Sequence, residues 1–433
     1  MRFKIICEMY EKLENTSKGL EKIRILSEFL GKIKSEPKTI YLLQGRVFPD
    51  YEEKEFGISQ QIATKAIAQA TGIKEEKIVE EFRKSGNLGL VAEKIIKSKK
   101  QSSLFPKELT TEKVIANLQK LPDMEGKGAV DRKVGLIVEL LHSCSELEAK
   151  YLMRLVLGDL KVGVGTGILR DAIVEFCFSP KDIQEKKEYG EVVQSAYDKS
   201  ADFAEVLEIS LKGLLELKKI SLSPGKPVKV MLFPKAKDVA DAFEIVGKPA
   251  ALEYKYDGFR VMINKEKSGE IKIFTRRLDN VTKQFPDIVK YVKEYVKADT
   301  FIIDGEAIGF DPKTKEFRPF QFISQRIKRK YEIERLIDEL PVELKVFDVI
   351  FYNGKSLIDV EFKERRELLT KVIKEEKNKI ALADQIVTSE EKDADKFYEE
   401  ALKKGHEGVM VKSLTAPYKP GARIGYAVKL KPT

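Results

Sequence analysis

The stretch "ALEYKYDGFRVMI" at residues 251–263 places Lys255 inside a run that otherwise has the apolar alternation of a buried strand. A lysine amine becomes a nucleophile only when its pKa falls from ~10.4 toward neutrality, through burial or neighbouring positive charge. The flanking tyrosines and leucine supply burial, and Arg260 or a metal ion could supply charge. Asp257 and Gly258 would turn the chain and let the backbone approach a ligand. Alternatively, Lys255 reaches solvent from an amphipathic strand, and Asp-Gly forms an ordinary hairpin turn.

The composition is typical of a folded protein with more than one domain. The chain has 433 residues, which is too many for one ordinary core, and 42% are hydrophobic and 34% charged. No apolar run approaches the ~20 residues of a membrane span, so we expect no membrane partner. Three cysteines without a CxxC spacing and two histidines disfavour a zinc site or a disulfide framework, and we expect a cytoplasmic protein. A net charge of +9 favours a polyanionic partner.

The hydrophobic periodicity changes near residue 222. Before it, segments such as 21–33, 60–72 and 114–121 carry apolar residues at the spacing of amphipathic helices. The segment 218–238 contains three prolines and no helical period, and we place a linker there. Beyond it, short β-branched and aromatic runs alternate with helical stretches at 285–298 and 362–378. The pattern predicts an all-α first domain followed by an α+β domain.

Three downstream stretches carry charged residues on predicted strands. "FIIDGE" (301–306) sets Asp304 and Glu306 on one strand face, which suits a magnesium ion or a ribose hydroxyl. "EGVMVK" (407–412) opens with a carboxylate and ends with a lysine. "VKLK" (428–431) sets two lysines on one face, as a phosphate clamp needs. Taken singly, each stretch is more often a solvated face or an edge strand guarded by lysine.

Together and in this order, six stretches resemble the motif set of covalent nucleotidyltransferases, which are the polynucleotide ligases and mRNA capping enzymes. They are "EYKYDGFR" (253–260), "TRR" (275–277), "FIIDGE", "VFDVIF" (346–351), "EGVMVK" and "VKLK". The helical half, including 86–93 and 147–173, is similar to the DNA-binding domain of archaeal and eukaryotic ATP-dependent DNA ligases. This resemblance implies a multidomain protein. An all-α DNA-binding domain would cover 1–222, and an α+β nucleotidyltransferase (adenylation) domain of ATP-grasp-like type would cover 223–433.

The resemblance also implies a role for each matching residue. Lys255 would be adenylated at its ε-nitrogen by ATP, with Mg²⁺ as the second cofactor. At the base, Glu253 would hydrogen-bond to the adenine and Phe347 would stack on it. Arg260 and Arg276 would bind ribose and phosphate, Glu306 would contact ribose or metal, and Glu407 would be a metal ligand. The triphosphate would be bound by Arg423, Lys429 and Lys431. Without the resemblance, Phe347 could equally be plain core. Cations around one nucleophile suit phosphoryl transfer, which needs charge neutralisation and in-line positioning.

The glycine-rich run "KVGVGTG" (161–167) lies in the helical half and has two interpretations. It is not a dinucleotide fingerprint, because the segment before it is helical and the spacing departs from GxGxxG. It could be a simple turn between two helices. The resemblance favours the alternative, in which backbone amides at a helix N-terminus contact DNA phosphates. The residues expected to take part are Arg154, Lys161, Gly163, Gly165 and Arg170.

We therefore expect an ATP-dependent DNA ligase that seals nicks in duplex DNA through a lysyl-AMP intermediate, in replication, repair and recombination. Nicked double-stranded DNA and ATP would be its partners, a sliding clamp is a further candidate, and the protein would be a monomer. The alternatives are an RNA ligase or capping-type enzyme, and a non-catalytic nick-binding protein. The long helical half disfavours the first alternative, and an intact Lys255 with its surrounding motifs disfavours the second.

Two departures from the family pattern are visible in the last residues of the sequence. Tyr426 and Ala427 stand where many relatives carry a tryptophan. Relatives also continue into an OB-fold domain with a further basic motif, whereas this sequence stops at Thr433. We therefore expect the C-terminal OB-fold domain to be absent from this chain. We also expect the chain to bind nucleotide and DNA but to adenylate itself poorly.

Overall fold

The computed structural model describes residues 1–52, 54–98, 108–329 and 331–432, and it divides into two compact units. The helical unit comprises residues 1–194 and 202–219, and the α/β unit comprises 195–201 and 220–433. The chain passes between the units at 194/195, at 201/202 and finally at 219/220, and the boundary expected near 222 lies close to the last of these crossings. No helix within the described ranges is long and apolar enough to cross a membrane.

The helical unit consists of amphipathic helices whose apolar faces form its core. The helices are α1 Phe3–Glu14, α2 Gly19–Ile33, α3 Gln60–Thr71, α4 Glu75–Ser85, α5 Leu88–Ser98, α6 Thr111–Lys120, α7 Ala129–Leu141, α8 Glu146–Val156, α9 Thr166–Phe178, α10 Ile183–Ser200, α11 Phe203–Ser210 and α12 Leu214–Lys218, with a 3-10 helix at Pro37–Gln44. The three segments expected to be helical are confirmed by α2, α3 and α6. Side-chain caps fix several starts, and Ser145 and Glu148 form a reciprocal capping box at α8.

The α/β unit has no helix and no strand in its residues 220–238. Its helices are α13 Val239–Val246, α14 Pro286–Tyr295, α15 Phe320–Ile327, α16 Ile333–Glu339, α17 Phe362–Val372 and α18 Glu391–Lys403, with a 3-10 turn at Thr282–Gln284. Its strands are β1 Ala250–Lys255, β2 Phe259–Lys265, β3 Ile271–Thr275, β4 Phe301–Gly309, β5 Val342–Tyr352, β6 Lys355–Ser356, β7 Ile380–Leu382, β8 Gln385–Thr388, β9 Gly408–Ser413 and β10 Ala427–Leu430. The predicted mixture of helix and strand is confirmed, although the second predicted helix ends at Val372 rather than at 378.

The strands form two sheets. The four-stranded sheet has the order β10-β9-β1-β8, and all its pairs are antiparallel. The six-stranded sheet has the order β3-β2-β4-β5-β6, with β7 added parallel to β5. The four-stranded sheet packs one face on a core of aliphatic and aromatic residues. The six-stranded sheet has such a core on both faces, and the second core includes Met262, Ile302 and Ile350.

Candidate functional site

The lysine motif joins the two sheets. β1 ends at Lys255 in the four-stranded sheet, and β2 begins at Phe259 in the six-stranded sheet. The two strands do not pair with each other, so the Asp-Gly sequence is not a hairpin turn. A Cβ on Gly258 would lie 2.2 Å from the carbonyl oxygen of Ala307 on β4. Glycine is required here because the backbone of β4 leaves no room for a side chain.

One face of the four-stranded sheet carries the polar residues of the motifs. The register sets Lys255 opposite Gly408 and Glu253 opposite Met410, and Met410 also lies opposite Lys429. Residues opposite each other share a face, and every second residue along a strand returns to that face. The intervening residues, such as Leu252, belong to the core on the other side. Alternation along the strands thus separates the polar face from the core.

Lys255 and Glu407 form an ion pair on this face. Their side chains are 24% and 37% exposed, so the pair is open to a ligand. The backbone N–H of Glu407 also donates a 2.9 Å hydrogen bond to the carbonyl oxygen of Lys255. Burial raises the pKa of the Asp257 carboxyl, and the carboxylate of Glu407 raises that pKa further. The predicted nucleophile is therefore close to acidic groups that could accept its proton or share a cation.

Arg260 and Asp304 form a buried two-point ion pair. Arg260 Nε lies 2.9 Å from Asp304 Oδ1, and Arg260 Nη2 lies 2.6 Å from Asp304 Oδ2. The Tyr418 hydroxyl donates a 2.9 Å hydrogen bond to the same carboxylate. Asp304 is fully buried, and these contacts use both of its oxygens. Asp304 and Glu306 share a strand face as predicted, but only Glu306 is left to meet a ligand.

Glu306 lies opposite Arg260 in the β2–β4 register. No hydrogen bond or ion pair within the described part of the chain holds its carboxyl group. Burial raises the pKa of Glu306 to about 8, against the opposing effects of Arg260 and Lys255. A cation placed beside this carboxyl would therefore relieve an unfavourable burial.

The predicted phosphate-binding cations come together around Lys429. Burial lowers the pKa of the Lys429 ammonium, and four positive charges lower it further: Arg423, Lys431, Lys255 and Arg276. These four are the predicted nucleophile and three of the predicted phosphate-binding residues. Like charges repel at such a cluster, so a polyphosphate bound there would remove an electrostatic cost.

Two cations lie close to the ring of Phe347, which is therefore not plain core. The Nζ atom of Lys412 is 4.5 Å from the ring centroid, and the Arg260 guanidinium carbon is 5.4 Å from it. The ring also packs against the core of the four-stranded sheet, although it remains only partly buried. One partly exposed aromatic face beside a cluster of cations suits a nucleotide base.

Glu253 is buried on β1 and contacts three donors. Its Oε2 atom lies 2.5 Å from Lys412 Nζ, and its Oε1 atom accepts a 3.0 Å hydrogen bond from Gln385 Nε2. Arg366 Nη1 lies 3.6 Å from the same Oε1 atom. A carboxylate has about four lone-pair positions, so this one retains capacity for a ligand donor.

The acidic groups fit a magnesium ion that is shared with a substrate. In the described ranges, no group of three or more acidic, histidine or cysteine residues is arranged to hold a metal by itself. Mg²⁺ is normally held by one or two carboxylates together with substrate phosphates. Glu306 and Glu407 interact electrostatically with each other and with Lys255. They are therefore suited to share a cation with phosphates beside the lysine.

In the helical unit, residues 161–165 of the glycine-rich run lie between α8 and α9 without helix or strand, and its last two residues begin α9. Gly165 is the residue before α9, and Gly163 is exposed. Lys161 is 80% exposed and lies 2.6 Å from Asp159. Arg170 on the first turns of α9 is half-buried and pairs with Asp171. Exposed backbone and a lysine thus flank a helix N-terminus, as the phosphate-contact interpretation requires.

Arg154 departs from this arrangement. Its side chain is 9% exposed, and Nη1 lies 2.9 Å from Glu14 Oε1. The guanidinium also lies over the Tyr151 ring. The structure therefore does not place Arg154 on a surface that could meet DNA. The family resemblance suggested the contact, but the face of α8 on which Arg154 lies turns inward.

Several residues of the site were not assigned a role from the sequence. Met410 and Lys412 lie on the polar face, and the alternation within "EGVMVK" was a sufficient signal for both. Gln385, Arg366 and Tyr418 had no such signal, because they lie outside the recognisable motifs. His406 packs among the rings of Tyr254, Tyr256 and Phe317.

Comparison with known proteins matches both halves of the chain. Residues 2–174 match the family described as "DNA ligase N terminus", and residues 230–431 match "ATP dependent DNA ligase domain". The chain is 45% identical over 436 residues to a DNA ligase of Nanoarchaeum equitans, and the alignment covers 100% of this chain and 75% of that protein. It is 38% identical over 436 residues to a DNA ligase of Thermococcus fumicolans, with 100% and 76% covered. The solved structure Pmar-Lig_PreS3 shares the fold, with a TM-score of 0.50, 16% identity, and 98% of this chain and 78% of that one covered.

Proposed function

The chain belongs to the family of ATP-dependent DNA ligases, and on this premise we propose that Lys255 is the residue that carries AMP between ATP and the nick. The observation that carries the proposal is the position of Lys255, which pairs with Glu407 and acts, together with Arg276, Arg423 and Lys431, on the charge of Lys429. A nucleophile in a cation cluster is the arrangement that phosphoryl transfer needs.

In the first step, Lys255 Nζ attacks the α-phosphorus of ATP, and Glu407 takes the proton that the amine loses. The phosphorus–nitrogen bond forms, the bond to the β-phosphate oxygen breaks, and pyrophosphate leaves. Lys429, Arg423 and Lys431 hold the polyphosphate, and their charges stabilise the leaving group. In the next steps, the 5′-phosphate at the nick takes the AMP from Lys255, and the 3′-hydroxyl displaces AMP to form the phosphodiester bond.

The nucleotide would lie between the polar faces of the two sheets. Glu253 accepts from the adenine amino group, and Phe347 stacks on the base. Arg260 and Glu306 face the ribose, and Arg276 adds a phosphate contact. Glu306 and Glu407 would hold Mg²⁺, which supplies charge neutralisation on the phosphoryl groups when it is bound.

We propose that the helical unit binds the DNA duplex without reading its sequence. Lys161, Gly163, Gly165 and Arg170 would contact phosphates through side chains and backbone amides at the start of α9. Arg154 is left out of this set because it is buried. A sliding clamp as partner, a monomeric state and a cytoplasmic location stay predictions from the sequence.

The proposal is tested by the intact mass of the chain after incubation with ATP and magnesium, beside Lys255→Ala. We expect a gain of one adenylyl group, absent in the variant and released on adding nicked DNA. A second assay supplies a nick that already carries AMP, so that sealing does not depend on the first step. If the chain neither gains an adenylyl group nor seals the adenylated nick, the proposal is wrong, and a non-catalytic nick-binding role is favoured. Adenylation with GTP in place of ATP would favour a capping-type enzyme.

A further inference from the structure

The carboxylate of Glu253 is held from three different elements. Lys412 on β9 lies 2.5 Å from Oε2, Gln385 on β8 donates to Oε1 at 3.0 Å, and Arg366 on α17 lies 3.6 Å from Oε1. Glu253 is 1% exposed, so water does not compete effectively for these contacts. Gln385 lies directly opposite Glu253 in the β1–β8 register. Both oxygens of the Glu253 carboxylate thus have a donor, and the two contacts together set the orientation of the carboxyl plane.

The three donors do not restrain Glu253 equally. Lys412 is a single ammonium on a flexible stem, and its contact with one oxygen leaves the carboxyl group free to rotate. Arg366 Nη2 donates to the carbonyl oxygen of Ala383 at 2.8 Å, while its buried Nη1 atom makes no hydrogen bond within the described residues. Gln385 makes the directed hydrogen bond to Oε1. It is therefore the residue that fixes the rotation.

A fixed carboxylate distinguishes purines by the group at position 6. A 6-amino group donates hydrogen bonds, and an ionised carboxylate can only accept them. A 6-oxo group offers an acceptor, which would leave two buried acceptors facing each other without a proton. Sites built to bond a substrate NH reject analogues that lack it more strongly than apolar pockets reject a missing methylene.

We propose that Gln385 is a positioning residue that orients the Glu253 carboxylate and thereby selects a 6-aminopurine nucleotide over a 6-oxopurine nucleotide. The inference rests on the proposed function, in which Glu253 faces the base. Gln385 acts through Glu253 and does not itself touch the nucleotide. Gln385 lies outside the six motifs, on an edge strand that carries no other proposed function.

The test is the equilibrium dissociation constant of three nucleotides, measured by calorimetry in EDTA so that no adenylyl transfer occurs. The nucleotides are ATP, GTP and purine riboside 5′-triphosphate, which carries hydrogen at position 6. Gln385→Met keeps the length of the side chain and removes the donor. Gln385→Asn keeps the amide but shortens its reach. Val387→Met, on the same strand and face but 53% exposed, is the matched control.

We expect both Gln385 variants to weaken ATP binding by about 3- to 10-fold and to leave the binding of purine riboside triphosphate unchanged, because one directed hydrogen bond is lost. The preference for ATP over GTP should fall by a similar factor, and Val387→Met should change neither. Equal weakening of ATP and purine riboside triphosphate would mean that Gln385 only supports the fold, and no change would mean that it does not position Glu253. Either result overturns this inference while leaving the role of Lys255 intact. Failure of the unaltered chain to bind any of the three nucleotides would instead count against the proposed function.

Discussion

Lys255 and Glu407 are joined twice, by an ion pair between their side chains and by a 2.9 Å hydrogen bond between their backbones. The backbone bond fixes the spacing between β1 and the residue before β9. The ion pair then sets where the amine points. Both side chains are partly exposed, so a cation can reach the Glu407 carboxylate. Binding of that cation would break the ion pair and leave the Lys255 amine facing the nucleotide.

The first prediction concerns this ion pair. We expect Glu407→Gln to slow adenylation of Lys255 by about 100-fold or more. Glu407 is proposed both as the proton acceptor and as a metal ligand, and the change removes the negative charge that each role needs. The rate is measured by intact mass over a magnesium titration. Glu399→Gln on α18 is the control, since Glu399 is exposed and lies 3.9 Å from an exposed lysine. An unchanged rate in Glu407→Gln would exclude both proposed roles.

The second prediction separates backbone strain from steric clash at two glycines. Gly408 has φ of 145° and Gly405 has φ of 82°, and both values are unfavourable for residues with a Cβ. A Cβ on Gly408 would lie 2.1 Å from the carbonyl oxygen of Leu430, whereas nothing lies within 4 Å of a Cβ on Gly405. We expect Gly405→Ala to lower the free energy of unfolding by about 1 kcal/mol and Gly408→Ala by about 3 kcal/mol or more.

Urea unfolding measures both free energies. Because the clash in Gly408→Ala would push β10 away, nucleotide binding through Lys429 should also weaken in that variant alone. Equal losses of stability in the two variants would show that β10 yields to the added carbon at little cost.

The third prediction is a pH dependence of stability from His406. Burial lowers the pKa of His406 to about 4, compared with about 6.5 in an unfolded chain. Between pH 6.5 and pH 4 the imidazole of His406 binds a proton in the unfolded chain but not in the folded chain. The free energy of unfolding therefore decreases as the pH falls through this range. We expect His406→Phe to remove about 2 kcal/mol of this loss.

Urea unfolding at pH 7, 5.5 and 4 provides the measurement. His142→Gln is the control because His142 is exposed at the end of α7. The prediction fails if the unaltered chain and His406→Phe lose stability in parallel across this range.

The fourth prediction is a coupling energy between Arg260 and Asp304. Removing one partner of a buried ion pair leaves an uncompensated charge, so Asp304→Asn should cost about 3–5 kcal/mol of unfolding free energy. Combining it with Arg260→Met should cost clearly less than the sum of the single changes. Glu339→Gln in the exposed pair with Arg335 is the control, and it should leave the free energy of unfolding almost unchanged. Additive single costs would mean that the two side chains are not coupled.

The fifth prediction concerns DNA binding by the helical unit. We expect Lys161→Gln to weaken binding to duplexes of any sequence and to reduce the slope of log affinity against log salt by about 1. Fluorescence anisotropy over a salt series measures the slope. Lys84→Gln on α4, where the lysine pairs with Glu80, is the control. An unchanged slope for Lys161→Gln would remove Lys161 from the phosphate contacts.

The sequence alone determined the elements and the order of the chemical motifs. Apolar spacing is a local property, so α2, α3 and α6 were predictable from a few turns of chain each. The two-residue spacing within "VKLK" likewise predicted that its lysines share a face. The register then brought Lys429 near Lys255, although 174 residues separate them in the chain.

Only the tertiary structure decided which partner each charge received. Asp304 and Glu306 look equivalent in the sequence, yet Asp304 is used by Arg260 while Glu306 is left open. Arg154 looked like a DNA contact, and Gln385 carried no signal. The physical reason is that burial and pairing depend on sheet order, register and helix packing. Those contacts join residues that are far apart in the chain, 44 positions for Arg260 and Asp304 and 132 for Glu253 and Gln385, and no local period encodes them.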